Sequence, residues 1–137
     1  MNKQIFAASI SNLDSIMTYY RQILTNSGIR PDEGKKFELA LEEATVNIIY
    51  YAYHNSNGVI EIEYRLKNHP PELEISLKDS GRPFNPCNSK KLKKPTNSEL
   101  QNIGGLGIHF MKELVDKIEY SFADNMNVLS LTKCINP

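Results

Sequence analysis

Cysteine is scarce in this sequence. Cys87 and Cys134 are the only two, and neither sits in a Cys-x-x-Cys pair. That suits a reducing cytosol better than a disulfide framework or a cysteine zinc site, although the two could pair in principle. An excess of charge of one sign is also missing. Sixteen Lys and Arg balance sixteen Asp and Glu for a formal net charge of zero, so nothing global directs the chain to nucleic acid or to an anionic membrane. Long apolar runs are absent too. No stretch approaches the roughly 20 residues of a membrane helix, and no charged start leads into an apolar segment as in a signal peptide. The expectation is a cytoplasmic protein with neither a membrane nor a nucleic-acid partner. Repeats and low-complexity tracts are lacking as well.

What is present is an ordinary globular balance, 40% hydrophobic and 23% charged over 137 residues. That suits one stand-alone domain, 1–137, with a single two-layer core. Residues 3–9 read as a short strand. Ser11 or Asn12 can cap a helix that runs to about Ser27, with Leu13, Ile16, Met17, Tyr20, Ile23 and Leu24 at helical spacing. Gly28 ends it, and Pro31-Asp32 opens a second helix over about 32–53. Asn55-Ser56-Asn57-Gly58 is a turn cluster. Alternating segments at 59–66 and 73–77 form a strand–turn–strand unit around Pro70-Pro71. From Ser80 to Ile103 the pattern collapses into Pro, Asn, Ser and Lys, a length of loop that suits a functional lid. A helix resumes after Gly107 and runs to about Lys117, and two last strands, about 118–123 and 127–133, meet at Asp124-Asn125. The expected fold is α+β: a two-layer α/β sandwich whose mixed sheet carries its helices on one face.

Three segments could carry chemistry. The first is Glu43-x-x-x-Asn47 on the second helix, where i, i+4 spacing places both side chains one turn apart on one side. The amide oxygen could ligate Mg²⁺, and the carboxylate could take a proton from an attacking hydroxyl. Taken alone, the pair reads more simply as a solvated glutamate and a helix-surface asparagine. Glu42 points roughly 100° away around the helix and reads as surface. The second segment, Asp79-Ser80-Gly81, ends an alternating strand. There a carboxylate could accept a hydrogen bond from an exocyclic amine, and Gly81 would let a flat ring approach the backbone. By itself it could also be a plain turn. The third, Gly104-Gly105-Leu106-Gly107, opens a helix whose backbone N–H groups could bind an anion. It is not a Walker loop, because no Lys-Ser or Lys-Thr follows. Nor is it a dinucleotide fingerprint, because a polar loop precedes it and Phe110 replaces the third glycine.

In this order the three segments resemble the N, G1 and G2 boxes of the Bergerat-fold ATPases, a superfamily of gyrase-type topoisomerases, heat-shock chaperones, sensor histidine kinases and anti-sigma-factor serine kinases. The likeness spans nearly the whole chain and is nearest to the anti-sigma serine kinases, whose third box resembles the run from Gly104 to Tyr120, including Leu114-Val115-Asp116. The resemblance implies that Glu43 is the general base, Asn47 the Mg²⁺ ligand and Asp79 the reader of the adenine amino group. It implies that Gly81, Gly105 and Gly107, with Leu106 between the last two, admit the adenine and cradle the phosphates. One departure is visible: the first glycine box often ends in Gly, where this chain has Pro83.

Residues 82–104 would then be a flexible ATP lid. It holds Arg82 and Ser89-Lys90-Lys91-Leu92-Lys93-Lys94 with no acidic residue before Glu99, and it could face the triphosphate or an acidic partner, or be a solvated loop. His54, His69 and His109 share no metal-like spacing. Tyr50, Tyr51 and Tyr53 read as core and rim. The implied activity is a MgATP-dependent serine/threonine protein kinase that phosphorylates an anti-sigma-factor antagonist and regulates transcription by partner switching with a sigma factor. A homodimer built on the first strand and helix is expected. No phosphoacceptor-histidine helix pair and no transducer domain are expected, which points away from a sensor kinase, a topoisomerase or a chaperone. The alternative is an ATP-dependent binding module that sequesters a partner without phosphorylating it. An ATP-hydrolysing unit of a larger assembly is a third possibility.

Overall fold

A computed structural model gives the structure of the protein and describes residues 2–53, 57–83 and 111–136. The lid from Phe84 onward, Cys87, Gly105, Leu106 and Gly107 lie outside the described residues. Strand β1 (Lys3–Ala7) leads through a 3-10 turn (Ile10–Asn12) into helix α1 (Leu13–Ser27). Helix α2 (Pro31–Asn47) passes into a π-helical turn (Ile48–Ala52). Strands β2 (Val59–Lys67), β3 (Glu72–Asp79), β4 (Lys117–Ala123) and β5 (Met126–Cys134) complete the sheet. Residues 111–114 are helical, so the third helix has ended before the expected Lys117.

The helix limits follow from local chemistry. Gly28 ends α1 in the left-handed region at φ 81°, where a Cβ would be strained. Pro31 occupies the first turn of α2, where its missing N–H has no helical partner to lose, and Asp32 and Glu33 complement the positive end of the helix dipole. The second helix does not run on unbroken to residue 53. Its regular part stops at Asn47, and the next five residues widen into the π turn.

The strand order is β1-β2-β3-β5-β4. All four pairings among the described residues are antiparallel, so the expectation of a mixed sheet is corrected. The two-layer α+β arrangement stands. Ile16, Met17 and Tyr20 of α1 and Phe37, Leu41 and Ala44 of α2 share one core with Ile60, Ile62, Leu73, Ile75, Leu77, Leu129 and Leu131 of the sheet. These strand residues all lie on one face by the register. The opposite face is charged and laddered: Lys78 meets Glu61 at 3.8 Å and Glu63 at 3.4 Å, and Arg65 meets Glu74 at 2.8 Å. An antiparallel sheet with one apolar and one polar face satisfies both the core and water. Tyr20 joins the two helices through a 2.7 Å hydrogen bond with Thr45, and burial pushes its phenol pKa up. Among the described residues no helix is long and apolar enough to cross a membrane.

Candidate nucleotide site

The end of α2 and the ends of β3 and β5 converge on one cavity. It is small, with about 20 Å³ of enclosed room, and Ala44, Asn47, Ala52, Asp79, Tyr120 and Asn127 are part of its lining. Two of the expected site residues, one from a helix and one from a strand, are therefore brought together.

Asn47 is not a helix-surface residue. It is 2% exposed, and among the described residues neither its amide nitrogen nor its amide oxygen has a hydrogen-bond partner. A buried polar group left unpaired costs about 1–3 kcal/mol, and native interiors rarely tolerate one without a functional reason. A carboxamide beside a cavity with its oxygen unspent fits the expected role of a ligand to a hard cation such as Mg²⁺.

Asp79 is 3% exposed at the end of β3. Its Oδ1 accepts from the Gly81 N–H and from Asn127 Nδ2, both at 2.9 Å. Both donors reach the same oxygen, which leaves Oδ2 without a partner among the described residues. Burial raises the Asp79 pKa, and the bonds from Asn127 and Gly81 partly offset this by favouring the ionised form.

Gly81 packs against the π turn. A Cβ there would lie 2.5 Å from the Ala52 carbonyl oxygen, so this backbone approach demands glycine whether or not a ring also approaches. Arg82 continues the contact, its N–H donating to Ala52 O at 3.2 Å and its Nε to Tyr51 O at 3.0 Å. Tyr53 is buried and clamps the same turn: its hydroxyl donates to Val59 O at 2.7 Å and accepts from the Ser80 N–H at 2.9 Å. The π turn thus anchors the Ser80-Gly81-Arg82 segment, in keeping with the frequent placement of such turns at functional sites.

Glu43 stands one turn before Asn47, half-buried, and it is not part of the cavity lining described above. Burial raises its pKa and the neighbouring Glu42 adds to the rise, which moves a carboxylate toward the range where a general base works best.

Asn127 was not evident from motifs. It is 4% exposed on β5, directly opposite Asp79 in the register. One signal for it exists in the sequence: it shares the parity of Leu129 and Leu131 and is a polar residue at a core-facing position of an alternating strand.

The fold is a two-layer α/β sandwich with Asn47 and Asp79 on one cavity. The family model described as a histidine kinase-like ATPase domain matches residues 6–133, and the chain belongs to that family. It is similar to the serine-protein kinase RsbW of Listeria innocua serovar 6a, 28% identical over 124 residues covering 82% of this chain and 77% of that one. It is also similar to the protein of the same name from Bacillus mycoides, 30% identical over 119 residues covering 82% and 71%. These relatives lie in the serine-kinase branch to which the three boxes pointed. Among solved structures, the blue-light activated histidine kinase of Erythrobacter litoralis EL346 superposes with a TM-score of 0.57 at 15% identity, over 78% of this chain and 32% of that one. The histidine kinase domain of that protein gives 0.57 and 15% over 91% and 60%. The chain thus spans a third to three fifths of those structures, and at such identity the likeness shows the fold alone.

Proposed function

We propose that this chain is a MgATP-dependent serine/threonine protein kinase of the anti-sigma type, acting on an anti-sigma-factor antagonist in exchange with a sigma factor. The observation that carries the reading is the buried carboxamide of Asn47, without a partner among the described residues, lining the same cavity as Asp79. Family membership and the printed name of the RsbW relatives support it.

Asn47 would offer its amide oxygen to the metal, and Asp79 would accept from the exocyclic amine of adenine. Bound Mg²⁺ would neutralise charge on the phosphates. Glu43 would take the proton of the partner's serine or threonine hydroxyl as its oxygen attacks the γ-phosphorus, while the bond from phosphorus to the oxygen bridging to ADP breaks. Phosphoryl transfer needs little covalent help beyond this positioning and charge stabilisation. A working homodimer and a cytoplasmic location belong to the same proposal. The test is incubation with γ-labelled ATP, Mg²⁺ and a candidate antagonist. The reading expects label on a serine or threonine of the antagonist that is lost when Mg²⁺ is chelated. Label that stays in free phosphate with the antagonist present would contradict it.

A further inference from the structure

Asn127 holds more of the site than its single side chain suggests. Its Nδ2 lies 2.9 Å from Asp79 Oδ1, 3.0 Å from Arg82 O and 3.3 Å from Gly81 O, and its Oδ1 accepts from the Tyr120 hydroxyl. A carboxylate oxygen and two backbone carbonyls can only accept, so the amide is fixed with its nitrogen toward them. A flipped amide would set oxygen against three oxygens. Two N–H hydrogens serve three acceptors. The cluster therefore ties the end of β3, the root of the lid and β5 into one arrangement, at a core-facing position where water does not compete.

The consequence is orientation. With Oδ1 of Asp79 held by Asn127 and Gly81, the carboxylate cannot turn about its Cβ–Cγ bond without breaking two bonds at once. An ionised carboxylate so fixed only accepts hydrogen bonds. It matches the 6-amino group of adenine and repels the 6-carbonyl of guanine. We propose that Asn127 is the positioning residue of base selection in this site, holding Asp79 in the orientation that prefers adenine over guanine nucleotides. This rests on the ATP-dependent reading above and adds the residue that sets the base preference.

The test compares the affinities of ATP and GTP, with Mg²⁺, for the parent, Asn127→Leu, Asp79→Ala and the double variant. Calorimetry gives the affinities, and hydrogen exchange of the nucleotide-free proteins reports the Gly81 amide. The parent is expected to prefer ATP. Asn127→Leu keeps the volume but removes the donor, and is expected to cut the ATP-to-GTP preference at least about tenfold and to speed exchange at Gly81. In the Asp79→Ala background the same change is expected to leave the ratio unaltered, because Asn127 acts through Asp79. Asn127→Ser, whose shorter hydroxyl cannot span all three acceptors, serves the same comparison if leucine disrupts the fold. A parent that prefers ATP with a ratio kept within twofold in the Asn127 variant overturns the inference and leaves the ATP reading standing. A parent that binds ATP no better than GTP overturns the base-reading role of Asp79, and this inference with it.

Discussion

Gly81 and Ala52 meet backbone to backbone just beyond β3: a Cβ on Gly81 would sit 2.5 Å from the Ala52 carbonyl oxygen and 2.8 Å from the Ala52 Cβ. The obstacle is backbone and cannot swing away, so Gly81→Ala must push the Asp79-Ser80-Gly81 turn off the π turn. Forcing extra volume into such a contact costs about 1–3 kcal/mol. The variant should unfold at correspondingly lower denaturant and bind ATP more weakly, because Asp79 moves with the turn. Chemical denaturation and calorimetry on one preparation check both, and unchanged stability would contradict the packing described.

Asp79→Asn should weaken ATP binding by at least about tenfold, the expected loss of a buried charge-assisted hydrogen bond. The Gly81 and Asn127 donors favour an oxygen facing them, which turns the new amide nitrogen, a donor, toward an amine that is itself a donor. Calorimetry of the folded variant decides this, and an unchanged affinity would remove Asp79 from adenine recognition.

Asn47 presents stability and function in opposition. Asn47→Leu replaces two buried polar atoms that have no partner among the described residues with apolar ones of similar volume. The nucleotide-free protein should gain roughly 1–3 kcal/mol, the penalty those atoms incur, while Mg²⁺-dependent ATP binding is lost. Thermal melts with and without MgATP report both effects. A variant no more stable than the parent, yet still stabilised by MgATP, would contradict the assignment.

Glu43 gives a pH signature. Its folded pKa is raised by burial and by Glu42, above an unfolded value of about 4.3. A carboxyl raised on folding binds more protons in the folded state, so stability falls as pH climbs from the unfolded pKa through the folded one. Glu43→Gln should therefore match the parent at pH values below about 4 and become the more stable of the two toward neutrality. Melting temperatures of both proteins across that range test this. A difference independent of pH would show that Glu43 ionises as easily folded as unfolded.

The parts of the fold carried by local pattern were legible in the sequence. The apolar spacing of α1, its Gly28 stop, and the Asp124-Asn125 turn, both residues at positive φ, each follow from a few adjacent residues. What depends on partners distant in sequence was not. The all-antiparallel pairing is set by which strands meet, and single-strand alternation does not encode that. The π turn after Asn47 looks in sequence like a continuing helix. It becomes intelligible through Gly81 and Arg82, about thirty residues on, which bond and pack against its carbonyls. The glutamate and asparagine of the first box were found by spacing, but the depth of Asn47 was visible only once the sheet lay beneath it. Asn127 and Lys133 share the core parity of β5. Lys133 is accommodated by Glu33 at 2.7 Å and Asn127 by Asp79, and neither partner lies nearby in the chain.

The most direct test pairs equilibrium MgATP binding with single-turnover phosphorylation of a cognate antagonist, measured on the parent and Glu43→Gln. A positioned base contributes about 10²–10⁴ in rate, while the proposed function assigns nucleotide affinity to other residues, Asn47 and Asp79 among them. The account predicts that Glu43→Gln binds MgATP within a few-fold of the parent and loses at least two orders of magnitude, by the same principle, in transfer to serine or threonine. Equal transfer by the two proteins would contradict the role of Glu43. Tight MgATP binding by the parent without transfer to its bound antagonist would contradict the kinase itself and leave a nucleotide-dependent binding module in its place.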